Sequence, residues 1–318
     1  MILPVYMEGA ARSRLRPVPD QGEVARSAKW CYTPGMSTGN SITATDGLRL
    51  YLRSWAPAGD VRAKVVLIHG LGEHGGRYGH LAGALNGRGL ALIACDLRGH
   101  GRSDGRRGHF PAYSLIMDDI GMMLDHAEKA FPGLPAFLYG HSMGGNLVIN
   151  YALRRKPALA GVIASAPLFR YAEKPPLWKR IAGEVMLRLY PRVSMSNGIP
   201  SGALSRDPDV VEAYDSDPLV HDRVTPSFLN ISRAGEFALA NAGQWHLPLL
   251  LMHGDSDRVT SHEASMEFAR KAGSSVDLKI WSGFFHEIHN EPEKQEVIDL
   301  IAEWTGRIGE SFRNIGRV

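Results

Sequence analysis

The sequence predicts an α/β fold, a mostly parallel sheet covered by helices on both faces. Three observations carry that reading. Short, continuously apolar runs recur from residue 41 onward, stretches of helical period separate them, and one strand-like run passes straight into a glycine-flanked serine turn. The chain has 318 residues, 44% hydrophobic and 22% charged, a balance that suits a folded protein with a large core.

Residues 1–40 are rich in Arg, Pro, Gly and Ser and follow neither strand nor helix period, so a mobile tail is expected there. The opening apolar stretch breaks at Pro4 and meets Glu8, unlike a signal peptide, whereas Arg12, Arg14, Arg16 and Arg26 with few acids faintly resemble a transit peptide. Met36, just before the first patterned segment, is a candidate start. Residues 48–55 alternate Leu48, Leu50 and Leu52 against Arg49, Tyr51 and Arg53, as a half-buried strand near a sheet edge does. Runs at 63–69, 90–95, 136–140, 160–165 and 248–253 are apolar almost throughout, the mark of strands buried on both faces, and 276–281 reads as the last strand. Ile116, Ile120, Met123, Leu124, Ala127 and Phe131 form one helical stripe that Pro132-Gly133 stops. Val297, Ile301, Trp304 and Ile308 repeat the pattern in a final helix, with Asn290 as its expected N-cap and Glu293 three residues on.

Residues 168–233 interrupt the alternation. They hold no convincing strand but an amphipathic stretch of Trp178, Ile181, Ala182, Val185, Met186 and Leu189, and read as a helical cap inserted into a core of 41–167 and 234–318. Such an insertion overhangs the carboxyl ends of the strands, where open α/β sheets bind ligands. The net charge of +3 is scattered, which argues against a dedicated nucleic-acid binder. No apolar run approaches the roughly 18 residues of a membrane span. Cys31 and Cys95 build no disulfide framework or Cys-x-x-Cys pair, so a reducing, cytoplasmic setting is expected.

Gly-x-Ser-x-Gly, the pattern of a nucleophile elbow, is expected by chance about a quarter of a time in so glycine-rich a chain. It occurs three times. Gly35-Met-Ser-Thr-Gly39 follows a Pro-containing tail and precedes no helix, and Gly101-Arg-Ser-Asp-Gly105 follows a strand only after several loop residues and leads into more Gly and Arg; both read as loops. Gly140-His-Ser142-Met-Gly144 follows a strand directly and leads into a helical pattern, so Ser142 is the candidate nucleophile. A hydroxyl attacks at neutral pH only when a base takes its proton, which requires a histidine and an orienting carboxylate, in the order Ser, Asp, His on this fold. Asp257, after the strand at 248–253, is the candidate carboxylate, with Asp255 the rival as a turn former. His286, in the loop before the final helix, is the candidate base, with His289 beside it; His-Glu-Ile-His lacks zinc-site spacing. The backbone N–H groups of Met143 and Leu71 are the candidate oxyanion donors.

Gly70-Leu-Gly72-Glu-His-Gly75 also fits a dinucleotide-binding loop, with Asp96 ending the next strand. Against it, Glu73 would face a pyrophosphate, and Ser142, Asp257 and His286 would be left unexplained.

The runs His69-Gly-Leu-Gly-Glu-His-Gly-Gly-Arg-Tyr78, Asp96-Leu-Arg-Gly-His-Gly-Arg-Ser103, Phe131-Pro-Gly-Leu-Pro135 and Gly140-His-Ser-Met-Gly-Gly145 resemble the monoacylglycerol lipase and lysophospholipase group of α/β-hydrolases. Residues 204–214 and 217–221 are similar to its bacterial members, and the likeness runs from about residue 41 to 308. The resemblance implies Ser142, Asp257 and His286 as a triad, Leu71 and Met143 at the oxyanion hole, and Glu73, Arg77 and His289 around a glycerol headgroup. Glu73 and Arg77 also read as a local ion pair that supports the oxyanion loop. The implied reaction is hydrolysis of a monoacylglycerol ester, without a cofactor. Lysophospholipids, short-chain esters, a nicotinamide-dependent oxidation and a noncatalytic binding role stay as alternatives. Leu177, Trp178, Lys179 and Arg180 are expected either on a lipid surface or packed on the core. The oligomeric state is left open.

Overall fold

The computed structural model describes residues 38–315, all within one unit. Readings placed on earlier residues, including Met36, Cys31 and the Arg12 to Arg26 cluster, lie outside the described residues. One sheet holds eight strands: β1 (Thr38–Thr43), β2 (Arg49–Trp55), β3 (Ala63–Ile68), β4 (Leu90–Asp96), β5 (Ala136–His141), β6 (Gly161–Ser165), β9 (Leu249–Gly254) and β10 (Val276–Trp281). Their order is β1-β2-β4-β3-β5-β6-β9-β10. The pairs β1–β2 and β2–β4 are antiparallel and the rest parallel.

The strand expected near the sheet edge at 48–55 is β2, second from the edge. β1 lies outside it, paired from Thr38↔Ser54 to Thr43↔Arg49, and it begins within the stretch read as a tail to residue 40. Its sequence, TGNSIT, carries no apolar alternation; backbone pairing to β2 specifies it, and Ile42 packs against the core.

Period 2 divides the central strands between two cores. Val66 and Ile68 of β3 join the face covered by α2 (Tyr113–Ala130), α3 (Met143–Arg155), α6 (Leu229–Ala240) and α7 (His262–Ala272). Val65 and Leu67 face α1 (Gly79–Asn86) and α8 (Lys294–Ile315). The final helix starts later than its expected cap. Asn290 sits in a 3-10 turn, Ile288–Asn290, and its side-chain amide donates to Glu287 at 2.7 Å, which takes it out of capping.

Between β6 and β9 lie α4 (Leu177–Leu189), a two-residue pair β7 (Met195–Ser196) and β8 (Arg223–Val224), and α5 (Pro208–Ser216). The small strand pair was not foreseen. α6 also starts earlier than the expected end of the inserted segment at 233. It lies on α3, whose Asn146 and Asn150 amides donate to the carbonyls of Ile231 and Ala234, each at 3.0 Å. The insertion is held unevenly. Residues 204–221 are fastened to the core by Glu287 N–H to the Leu204 carbonyl (2.7 Å), Arg206 to Glu291 (2.7 Å), His74 to Asp217 (2.9 Å) and His221 N–H to the Gly72 carbonyl (2.9 Å). α4 has no buried residue, and Leu177, Trp178 and Leu189 are 67%, 66% and 63% exposed.

Helix α3 touches the sheet through bare backbone. A Cβ at Gly144 would stand 2.0 Å from the Ile68 carbonyl oxygen of β3. Gly144→Ala is expected to lower stability by about 1–3 kcal/mol, read as a lower urea midpoint at unchanged slope. Gly83→Ala, where a Cβ on α1 meets nothing within 4 Å, is expected to raise the midpoint instead.

Candidate active site

β5 ends at His141 and α3 starts at Met143, so one residue turns the chain. That residue is Ser142, at φ 54° and ψ −116°. A side chain in this region is strained, and it persists only when its surroundings over-determine it. Here they do. Ser142 N–H donates to the Ser165 carbonyl (2.9 Å), and its own carbonyl accepts from Leu168 N–H and Asn146 N–H, each at 3.0 Å. Glycines admit the approach: a Cβ at Gly140 would lie 2.3 Å from the Gly144 carbonyl oxygen, and one at Gly145 2.9 Å from Pro167.

The loop after β3 passes directly beside the elbow, since a Cβ at Gly70 would stand 3.4 Å from that of Ser142. Leu71 follows. Neither Leu71 N–H nor Met143 N–H has a partner among the described residues, and Met143 opens a helix whose dipole favours negative charge.

Asp257 and His286 meet after β9 and β10, with His286 Nδ1 donating to Asp257 Oδ2 at 2.7 Å. The His286 ring lies 4.8 Å from that of His141, which sets it alongside the elbow. Asp257 is unusually well served. Oδ2 also accepts from His253 Nε2 (3.0 Å) and Thr260 Oγ1 (2.8 Å), and Oδ1 from the N–H groups of Val259 (2.7 Å) and Thr260 (3.0 Å). Burial alone would raise its pKa, but the facing His286 and the donors hold it well below the ordinary carboxylate value. Burial likewise works against a charged His286, yet the Asp257 carboxylate prevails and raises it above 6.5. His253, which sequence reasoning missed, is fully buried and anchored by Ser265 Oγ on Nδ1 at 2.8 Å. Its spacing of four before Asp257 was the available signal.

Asp255 faces away from this group: it is exposed and accepts from Gly283 N–H at 2.7 Å, as a turn carboxylate. His289 is buried against Tyr78, ring centroids 4.9 Å apart, and burial pushes it down to about 3. Glu73 and Arg77 come together in an ion pair at 2.8 Å that sequence alone had allowed, and Arg77 is shared with Glu287, which it had not. Asp96, the candidate ribose carboxylate, is fully buried and accepts from Arg53, Gly75 N–H (2.9 Å) and Arg102 N–H (2.9 Å), which leaves it no face for a nucleotide.

Residues 59–293 match the protein family described as serine aminopeptidase, S33. A monoacylglycerol lipase of Mycolicibacterium smegmatis is 36% identical over 83% of this chain and 95% of its own length. The chain belongs to this family of α/β-hydrolases. The crystal structure of Paleococcus ferrophilus monoacylglycerol lipase superposes with a TM-score of 0.74 at 36% identity, covering 82% of this chain and 98% of that one. An uncharacterized abhydrolase domain-containing protein of Dictyostelium discoideum is also 36% identical over 87% of this chain, which spans only 30% of that longer protein. The mostly parallel eight-stranded sheet with flanking helices is the α/β-hydrolase fold, and the chain is a carboxylic ester hydrolase.

A base must be neutral to accept a proton, so a raised His286 pKa moves the loss of activity upward in pH. The acid limb of kcat/KM is expected above the 6.5 of an ordinary histidine, and kcat/KM to fall as pH drops through it. Asp257→Asn is expected to lower kcat by about 10³-fold or more, and Asp255→Asn by less than about threefold, in initial-rate assays on a common ester.

Proposed function

We propose that this chain hydrolyses monoacylglycerols to glycerol and a fatty acid through an acyl-enzyme on Ser142. The observation that carries the reading is the strained serine at the strand-to-helix turn with the buried Asp257–His286 pair beside it, in a chain related to monoacylglycerol lipases along most of its length.

Ser142 Oγ attacks the ester carbonyl carbon as His286 Nε2 takes its proton. The carbonyl oxygen becomes an oxyanion between the N–H groups of Leu71 and Met143, both without other partners among the described residues. Asp257 holds the imidazolium in place through Nδ1. When the intermediate collapses, the C–O bond to glycerol breaks and the departing oxygen takes the proton from His286. Water then repeats the attack with His286 as base, which frees the fatty acid and restores Ser142. His289 suits a contact with the glycerol headgroup: its Nδ1 is buried without a partner among the described residues, and its ring lies 4.8 Å from that of His141.

No described helix is long and apolar enough to cross a membrane. Peripheral contact through α4 fits better. Leu177, Trp178, Ile181, Val185 and Leu189 stand exposed there beside Lys179, Arg180 and Arg188, a combination that suits an anionic lipid surface.

A fluorophosphonate probe is expected to label the protein but not Ser142→Ala. Across monoacylglycerols, lysophospholipids and p-nitrophenyl esters, kcat/KM is expected to be highest on a monoacylglycerol. Equal labelling of both proteins, or a clear preference for lysophospholipids, would overturn the mechanism or the substrate respectively. Trp178→Ser combined with Ile181→Ser is expected to reduce sedimentation with anionic vesicles while rates on a soluble short-chain ester hold; undiminished sedimentation argues against the α4 contact.

A further inference from the structure

Glu73, Arg77 and Glu287 form one buried, continuous chain of charge. Glu73 Oε1 accepts the N–H of Gly70 at 2.6 Å and the hydroxyl of Tyr78 at 2.7 Å, and Oε2 accepts Arg77 Nη1 at 2.8 Å. Arg77 then grips Glu287 with both ends of its fork, Nη1 to Oε1 at 2.6 Å and Nη2 to Oε2 at 2.8 Å. Glu287 Oε2 takes a further bond from the Asn290 amide at 2.7 Å. Four carboxylate oxygens therefore all have donors from the protein itself, and all three side chains are a tenth exposed or less.

The positions at the two ends of this chain are the telling part. Gly70 immediately precedes Leu71, and Glu287 immediately follows His286. Arg77 also lies over the ring of Tyr214 on α5 at 4.8 Å, while the Tyr214 hydroxyl comes within 3.4 Å of a Cβ built at Gly72. One guanidinium thus ties together the loop with the proposed oxyanion donor, the loop with the proposed base, and the inserted helix that overlies the first.

We infer that Arg77 and Glu73 are positioning residues: they fix the Leu71 N–H relative to His286, and they do not hold the glycerol. The inference rests on the roles assigned above to Leu71 and His286. Three of the roughly four lone-pair sites of Glu73 are already filled, by Gly70 N–H, the Tyr78 hydroxyl and Arg77, and its side chain is 3% exposed, so little of it is left for a glycerol hydroxyl to reach. A planar fork is also what spanning two carboxylates requires, and lysine, a single point of charge, cannot reproduce it. Because the oxyanion is common to every ester, the effect of the pair is independent of the alcohol that leaves.

The test compares Arg77→Lys and Glu73→Gln with the unaltered protein on two esters of one fatty acid, its monoacylglycerol and its methyl ester, together with the rate of Ser142 labelling by a fluorophosphonate. Both variants are expected to lose about 10–100-fold in kcat/KM, the range for a catalytic group displaced by about 1 Å. The loss is expected to be the same within about threefold on the two esters and in the labelling rate, and to lie in kcat rather than KM. A loss confined to the monoacylglycerol, with methyl ester and labelling rates intact, would make the pair headgroup ligands and overturn the inference. Unchanged rates on all three would overturn it as well. If Arg77→Lys does not fold, Glu73→Gln alone decides, since the amide retains nearly the shape of the carboxylate but loses the charge facing Arg77. Absence of labelling in the unaltered protein would instead count against the proposed hydrolysis itself.

Discussion

A turn of one residue between β5 and α3 forces Ser142 into a backbone region that side chains avoid, and the packing around it pays for that strain. Gly140, Gly144 and Gly145 let strand and helix backbones meet where any Cβ would collide, and the Ser165 carbonyl and Leu168 N–H pin the turn from the neighbouring strand and the segment after it. The other parts of the site arrive separately, at the carboxyl ends of β3, β9 and β10, and the parallel register of the sheet sets those ends side by side. Geometry at the elbow therefore fixes where every other group has to be.

Around the elbow the protein buries charge in two groups of opposite purpose. Asp257 is surrounded by donors from His286, His253, Thr260 and backbone N–H groups, which keep it ionised next to an imidazole whose charged form it favours. The Glu73–Arg77–Glu287 chain contains no group that has to change protonation, and removing Arg77, the one cation between two carboxylates, would strand buried charge. On the proposed mechanism the first group handles a proton, and the second, as inferred above, resists movement.

What the sequence made legible was local. Continuous apolar runs marked the inner strands, because burial on both faces leaves no polar alternation, and the serine turn stood out from two decoys by the strand before it and the helix after it. Asp257 and His286 followed from their places after strands. Partners distant along the chain were not legible: Arg77 and Glu287 are 210 positions apart, and nothing local in either segment announces the other. β1 escaped notice because pairing rather than hydrophobic pattern creates it, and the Asn290 cap failed because a side chain that caps in isolation found a closer carboxylate in Glu287.

The uneven fastening of the insertion has a consequence for how such an enzyme diverges. Residues 204–221 share hydrogen bonds and ion pairs with the loops of the candidate site, so exchanging them disturbs those loops, whereas α4 is tied by an exposed ion pair, Glu184 to Arg233, that runs to α6 instead. Helix α4 is accordingly a replaceable module: a different surface can be grafted there while the loops beneath keep the contacts that hold them.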